Sequence, residues 1–177
     1  MTIAPRSGWW RRLRHGRGFG VHSPFAYRFI REVLRERCAY YAYDRVDALA
    51  AEWPGGVSGA RMLFRVAAFV NPSHAAASGV AAAIVGMACP SALVVGVPEP
   101  QTGLIVLQGG ENEDAVLCCA ASGATVVLPD RNIPSVAALF ARLRNETGHG
   151  HCFMNGSGAA VFVGRRTLPA ETFDVRF

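Results

Sequence analysis

The sequence predicts a single α/β domain in which helices cover both faces of a sheet with a parallel centre and antiparallel C-terminal edge strands, a three-layer sandwich. The chain has 177 residues, 51% hydrophobic and 18% charged, which is enough for one globular core. Its middle alternates apolar runs of strand length with segments of helical periodicity. Near its end, two apolar runs flank a glycine-containing turn, as in an antiparallel hairpin.

The first predicted helix has the clearest start signal in the chain. Ser23 is a typical N-cap residue, and Pro24 takes the first helical position, where its missing N–H costs nothing. Apolar side chains then recur at helical spacing as far as about Cys38. Arginine and glutamate residues alternate over the remaining surface, which is the pattern of a solvated face.

Apolar periodicity and breaker residues predict four further helices and six strands. The helices are expected at residues 60–70, 79–88, 112–121 and 135–144, and the strands at residues 92–97, 104–107, 124–128, 152–155, 160–163 and 173–177. Strands that alternate with helices are typical of a parallel sheet.

An uncharged stretch lies between Arg65 and Glu99, and it is longer than the roughly 20 apolar residues of a membrane-spanning helix. Asn, Pro, Ser, His and Gly residues interrupt it, and these polar groups are costly in lipid. A buried helix followed by a buried strand is therefore preferred, and no membrane span is predicted.

Positive charge is concentrated at the N-terminus. Residues 1–45 carry ten of the eighteen arginines against three acids, whereas residues 46–177 carry eight against ten. We call residues 1–20 the basic arm; it combines two tryptophans with Arg11, Arg12, Arg14 and Arg17. The arm could contact nucleic acid or an anionic membrane surface, or be a solvated tail packed on the domain formed by residues 21–177.

Cysteine usage and the N-terminus favour a cytoplasmic location. The N-terminus has no apolar core of a secretory signal. Five cysteines, odd in number and without CxxC spacing, argue against disulfides or a zinc site. His149, His151 and Cys152 could ligate a transition metal, but a fourth ligand is not identifiable, so solvent-exposed histidines and no metal are predicted.

Two segments resemble a known family. Residues 20–34, GVHSPFAYRFIREVL, resemble a group of bacterial class I S-adenosylmethionine-dependent methyltransferases with a His-Ser-Pro-Phe segment ahead of a Rossmann-like domain. Residues 158–177, GAAVFVGRRTLPAETFDVRF, are similar to the ending of that group. The resemblance covers residues 18–177 in patches. It implies a Rossmann-like domain with an N-terminal helical extension, and S-adenosylmethionine as cofactor.

The chain departs from this family where the cofactor is held. The family's glycine-rich turn after the first strand corresponds to PSHAAASGVAAAIV, in which Gly79 is the only glycine and the acidic position is Ala77 or Ser73. The acid after the second strand becomes Glu99, one place late. The remaining candidates for cofactor contact, if the cofactor binds, follow later strands: Gly109, Gly110 and Asp130. No catalytic residue is predicted.

The domain is also shortened. Val97 and Leu104 enclose six residues, where the family has a helix, a strand and another helix. Parallel strands need crossovers of a dozen or more residues, so these strands are expected to be antiparallel neighbours, or the sheet is rearranged. The missing strand and helices are those that wall the adenine pocket in the family.

These departures favour a methyltransferase-like protein with impaired or lost cofactor binding, a pseudoenzyme or scaffold. The first alternative is an active methyltransferase whose S-adenosylmethionine pocket is rebuilt from Gly79, Glu99 and the Gly109-Gly110 turn. The second is binding of nucleic acid or an anionic surface through the basic arm. The methyl acceptor and any protein partner are not identifiable from the sequence.

Overall fold

The computed structural model describes residues 23–177. The basic arm, with Arg11, Arg12, Arg14 and Arg17, lies outside the described residues, as do residues 21 and 22. The interpretations of the arm therefore stay predictions.

In the described part of the chain, three helices precede the first strand. α1 spans Pro24–Phe29 and continues as a π-helical turn over Ile30–Leu34. α2 spans Tyr43–Leu49 and continues as a 3₁₀ turn over Ala50–Glu52, and α3 spans Gly56–Val70. The predicted N-cap of α1 is confirmed, because the Ser23 hydroxyl accepts a hydrogen bond from the backbone N–H of Ala26 at 3.2 Å.

The rest of the described chain alternates strands and helices. In order, these elements are β1 (His74–Ala76), α4 (Gly79–Ala88), β2 (Leu93–Val95), β3 (Leu104–Val106), α5 (Glu113–Ser122), β4 (Thr125–Leu128), α6 (Pro134–Glu146), β5 (His151–Met154), β6 (Ala160–Val163) and β7 (Glu171–Asp174). Neither α2 nor β1 was predicted, since α2 is two turns long and β1 has only three residues.

The seven strands form one mixed sheet in the order β2-β1-β3-β4-β6-β5-β7. β2, β1, β3 and β4 are parallel, and β6 is antiparallel to both β4 and β5, so the predicted parallel centre is confirmed. The prediction is wrong for the outermost pair, because β7 runs parallel to β5. The chain reverses once into β6 and again into β7, which adds outside β5 and therefore shares its direction.

Helices cover both faces of the sheet, and each face has its own apolar core. Alternate residues of one strand point to opposite faces, so Val127 joins the core beneath α1, α3 and α4, while Val126 and Leu128 join the core beneath α5 and α6. The predicted three-layer arrangement is thus present, and it is compatible with a Rossmann-like sandwich.

β2 and β3 are not antiparallel neighbours, so that expectation is wrong. Both strands pair in parallel with β1, which lies between them. A strand of three residues is only about 10 Å long, and two strand spacings add about 10 Å sideways. The eight residues 96–103 reach roughly 26 Å when extended, so they make the crossover without a helix.

The uncharged stretch between Arg65 and Glu99 forms the end of α3 and then β1, α4 and β2. The expectation of a buried strand here is wrong for β2, in which Leu93 is 55% exposed, because β2 is the edge strand of the sheet. Within residues 23–177, no helix is long and apolar enough to cross a membrane.

A buried histidine on β5 contacts the N-cap residue of α1. His151 on β5 is fully buried, its Nε2 lies 2.8 Å from the Ser23 Oγ, and its Nδ1 lies 3.1 Å from the Pro169 carbonyl oxygen. The carbonyl can only accept, so Nδ1 carries the proton and Nε2 accepts from the hydroxyl. The expectation that this histidine is exposed is therefore wrong, and the serine of the His-Ser-Pro-Phe segment has a structural role.

We predict that the free energy of unfolding falls as the pH drops from about 7 to 5. Burial lowers the pKa of His151, against smaller opposing effects of the Glu171 carboxylate and the Pro169 carbonyl. Unfolding returns this pKa to about 6.5, so below that pH the unfolded chain binds a proton that the folded chain does not. The slope from this group is at most about 1.4 kcal/mol per pH unit.

Urea denaturation at several pH values measures this dependence. A His151→Gln variant is expected to lose part of the slope, whereas His74→Gln, on a half-exposed histidine, retains it. Equal slopes in the wild type and His151→Gln would contradict the assignment.

Candidate functional site

The carboxyl ends of β1 and β3 form the place where a doubly wound sheet holds its ligand. β2 lies on one side of β1 and β3 on the other, so the strand order reverses between β1 and β3. Ligands of open α/β sheets bind in the crevice outside the strands at this switch point. Gly79 follows β1, and Gly109 and Gly110 follow β3, so the fold does bring these predicted residues to one edge of the sheet.

The loop after β3 is occupied by a carboxylate of the chain itself. One Glu111 oxygen accepts hydrogen bonds from the backbone N–H of Gln108 at 2.6 Å and of Gly109 at 3.1 Å, and the second oxygen lies 3.0 Å from the same Gly109 nitrogen. Gly109 and Gly110 have φ angles of +101° and +89°, a conformation that side chains disfavour. These glycines let the loop curl around the Glu111 carboxylate. The backbone N–H groups of the loop therefore already bind a negatively charged group.

A second hydrogen bond links the ends of the two strands. The Ser78 hydroxyl, just after β1, donates to the Gln108 Oε1 at 2.6 Å. The cavity between these groups measures about 20 Å³. A water molecule needs about 10–15 Å³ and a small-molecule site roughly 300–1,000 Å³, so this crevice has room for about one water.

Gly79 and Glu99 do not line this small cavity. Gly79 is exposed at the start of α4 with a φ of +51°. The Glu99 carboxylate lies on the exposed crossover loop and accepts a hydrogen bond from the Gln101 amide at 2.5 Å. The two residues are therefore near the switch point in sequence without forming a pocket with Glu111.

Asp130 lines a different cavity. Its Oδ1 accepts a hydrogen bond from the backbone N–H of Asn132 at 2.8 Å, and a Cβ added to Gly158 would come within 2.9 Å of it. Asp130 lines a cavity of about 180 Å³ together with Trp53, whose buried indole N–H has no hydrogen-bond acceptor within residues 23–177. Asp130 and Glu111 thus line different cavities.

The residues of the His-Gly-His-Cys segment have separate surroundings. His149 Nε2 lies 3.0 Å from the Gly164 carbonyl oxygen, and His151 contacts Ser23. Burial raises the pKa of the Cys152 thiol to about 12. In the described part of the chain, no three side chains of the His, Cys, Asp or Glu type cluster as metal ligands.

A cavity lined by several arginines was missed by the sequence predictions. It measures about 600 Å³ and lies among the end of the π-helical turn, α2, α3 and the C-terminal segment. We call it the arginine cavity, because five arginines line it: Arg35, Arg37, Arg61, Arg65 and Arg176. The available signal was the pair Arg61 and Arg65, four residues apart in an otherwise apolar helix.

Comparisons of the chain with protein-family models, curated proteins and solved structures found no match.

We predict that Glu111→Ala lowers the free energy of unfolding by about 1 kcal/mol, because the hydrogen bonds to the loop after β3 are lost where water can replace them. Urea denaturation measures this change. The matched control is Glu52→Ala, on an exposed carboxylate outside the loop, which is expected to change stability by less than about 0.5 kcal/mol. Identical effects of the two variants would show that Glu111 does not hold the loop.

Proposed function

We propose that this chain is a class I methyltransferase-like protein whose cofactor crevice is closed by its own side chains, and that it works as a non-catalytic binding module. The proposal combines the resemblance at residues 20–34 and 158–177 with the arrangement at the carboxyl ends of β1 and β3. The single observation that carries it is the Glu111 carboxylate held by the loop amides of Gln108 and Gly109.

The strand order supports descent from a doubly wound enzyme fold. The order of such a sheet is 3-2-1-4-5-6, and β2-β1-β3-β4 corresponds to positions 2-1-4-5 with the third strand left out. The residues 96–103, which replace that strand and its helices, form only a short crossover loop. The wall that encloses adenine in the family therefore has no counterpart in this loop.

The residues at the crevice do not fit S-adenosylmethionine. Its methionine part would need backbone N–H groups and space beside a glycine-rich turn. Here the segment after β1 has a single glycine, Gly79, and Ser78 bonds to Gln108 across the opening, where the space is about 20 Å³. Glu111 takes the N–H groups of the neighbouring loop after β3. Fold alone does not imply function, and this site favours a module without methyl transfer.

The alternative is an active methyltransferase. For its pocket to be rebuilt, Glu111 has to leave the loop amides, the Ser78–Gln108 bond has to open, and Glu99 has to turn from the crossover loop toward the crevice. Each of these changes breaks a hydrogen bond present in the fold. We therefore prefer the non-catalytic binding module to the active methyltransferase.

We predict no binding of S-adenosylmethionine or S-adenosylhomocysteine in calorimetric titrations of the full chain. The reason is that binding has to displace the Glu111 carboxylate and open the crevice. Circular dichroism and a cooperative thermal transition establish that the sample is folded. A dissociation constant below about 100 μM, roughly −5.5 kcal/mol, for either compound would contradict the proposal and favour the active enzyme.

A further inference from the structure

We infer that the arginine cavity binds a small phosphate-bearing molecule with at least two negative charges. Its volume of about 600 Å³ lies within the range of small-molecule sites. It shares no lining residue with the 20 Å³ crevice at β1 and β3, so the inference does not depend on the proposed function.

The lining of this cavity has a large excess of positive charge. Five arginines face one acid, Glu36, whose carboxylate already accepts hydrogen bonds from the backbone N–H groups of Arg37 and Cys38. Arg61 has a carboxylate partner, because Asp47 accepts two hydrogen bonds from it at 2.5 and 2.8 Å. The other four arginines form no ion pair with residues 23–177.

Arg65 is the most constrained of the five. Its side chain is on α3, the residue is 8% exposed, and its guanidinium donates to the carbonyl oxygens of Val33 and Leu34 and to the Tyr43 hydroxyl. These three neutral acceptors fix its orientation, but they do not balance its charge. The Glu36 carboxylate interacts electrostatically with Arg65, but it forms no ion pair with it at contact distance. A buried charge without a directly paired counter-ion is costly, so Arg65 indicates an anion in the cavity.

The basic arm cannot supply that anion. Residues 1–22 contain five arginines and neither aspartate nor glutamate. Any approach of this segment would add positive charge to the cavity and repel the arginines that line it. The arm therefore supplies no counter-ion, which is consistent with the inferred ligand.

Phosphate fits this arrangement better than a single carboxylate. A guanidinium presents parallel N–H groups that match phosphate oxygens in pairs, and Arg35, Arg37 and Arg176 have no side-chain acceptor among residues 23–177. Several arginines around one space suit more than one negative charge. The cavity is also lined by Tyr43, Phe177 and Ser58, which can contact an organic part of the ligand.

The test is a calorimetric titration of the full chain with inorganic pyrophosphate and with ATP, without metal ions, and with citrate as a tricarboxylate of similar charge. The site variant is Arg35→Gln with Arg176→Gln, which leaves buried Arg65 in place. The matched control is Arg45→Gln with Arg144→Gln, two exposed arginines outside the cavity, so both double variants lose the same charge. Circular dichroism compares their folding.

We expect both phosphate compounds to bind the wild type. The site variant is expected to bind them at least about tenfold more weakly, because charge-assisted contacts are lost. The control variant is expected to stay within about twofold. No binding at roughly 5 mM pyrophosphate, equal weakening by both double variants, or citrate bound as tightly as pyrophosphate would each overturn the inference.

Discussion

The short length of three neighbouring strands constrains the rest of this molecule. β1, β2 and β3 have three residues each, so a crossover between parallel strands has to travel back only about 10 Å. The eight residues 96–103 span this distance, whereas longer parallel strands need a connection that contains a helix. Among residues 23–177, no strand lies beyond β2, which is therefore an exposed edge of the sheet.

Charge is distributed in two ways around this small sheet. At the crevice, Glu111 neutralises the backbone amides that a doubly wound fold offers to an anion. On the outer helices, Arg142 pairs with Glu113, Asp114 and Glu146. The arginine cavity is the exception, because Arg65 is buried there beside neutral acceptors. Donor groups without a charged partner thus lie beside the N-terminal helices, whereas the donors of the loop after β3 are already paired with Glu111.

Local signals in the sequence were sufficient for some elements. Ser23 and Pro24 define the start of α1 through contacts within one turn, and the apolar runs of β3 and β4 are strands because each faces two cores. β1 was missed because His74–Ala76 has no strand pattern of its own. The parallel pairing on both sides of β1 depends on strand length and loop reach, which residue types do not encode locally.

The site was predictable to a smaller extent. Gly109 and Gly110 were candidates for cofactor contact, and in the structure the loop that contains them binds the carboxylate of Glu111. Arg35 and Arg37 look like a solvated helical face in the sequence. Only the packing of α3 and the C-terminal segment turns that face into a cavity wall. Which cavity Asp130 lines depends on tertiary structure, so its place beside Trp53 was not predictable from the sequence.

The closed crevice is tested most directly by amide hydrogen exchange, measured by NMR at Gln108 and Gly109. Both amides donate to Glu111 in the folded chain, so they are expected to exchange slowly despite their exposed positions, and at the same rate when S-adenosylmethionine is added. Fast exchange in the free protein, with protection that appears only on adding S-adenosylmethionine, would contradict the account.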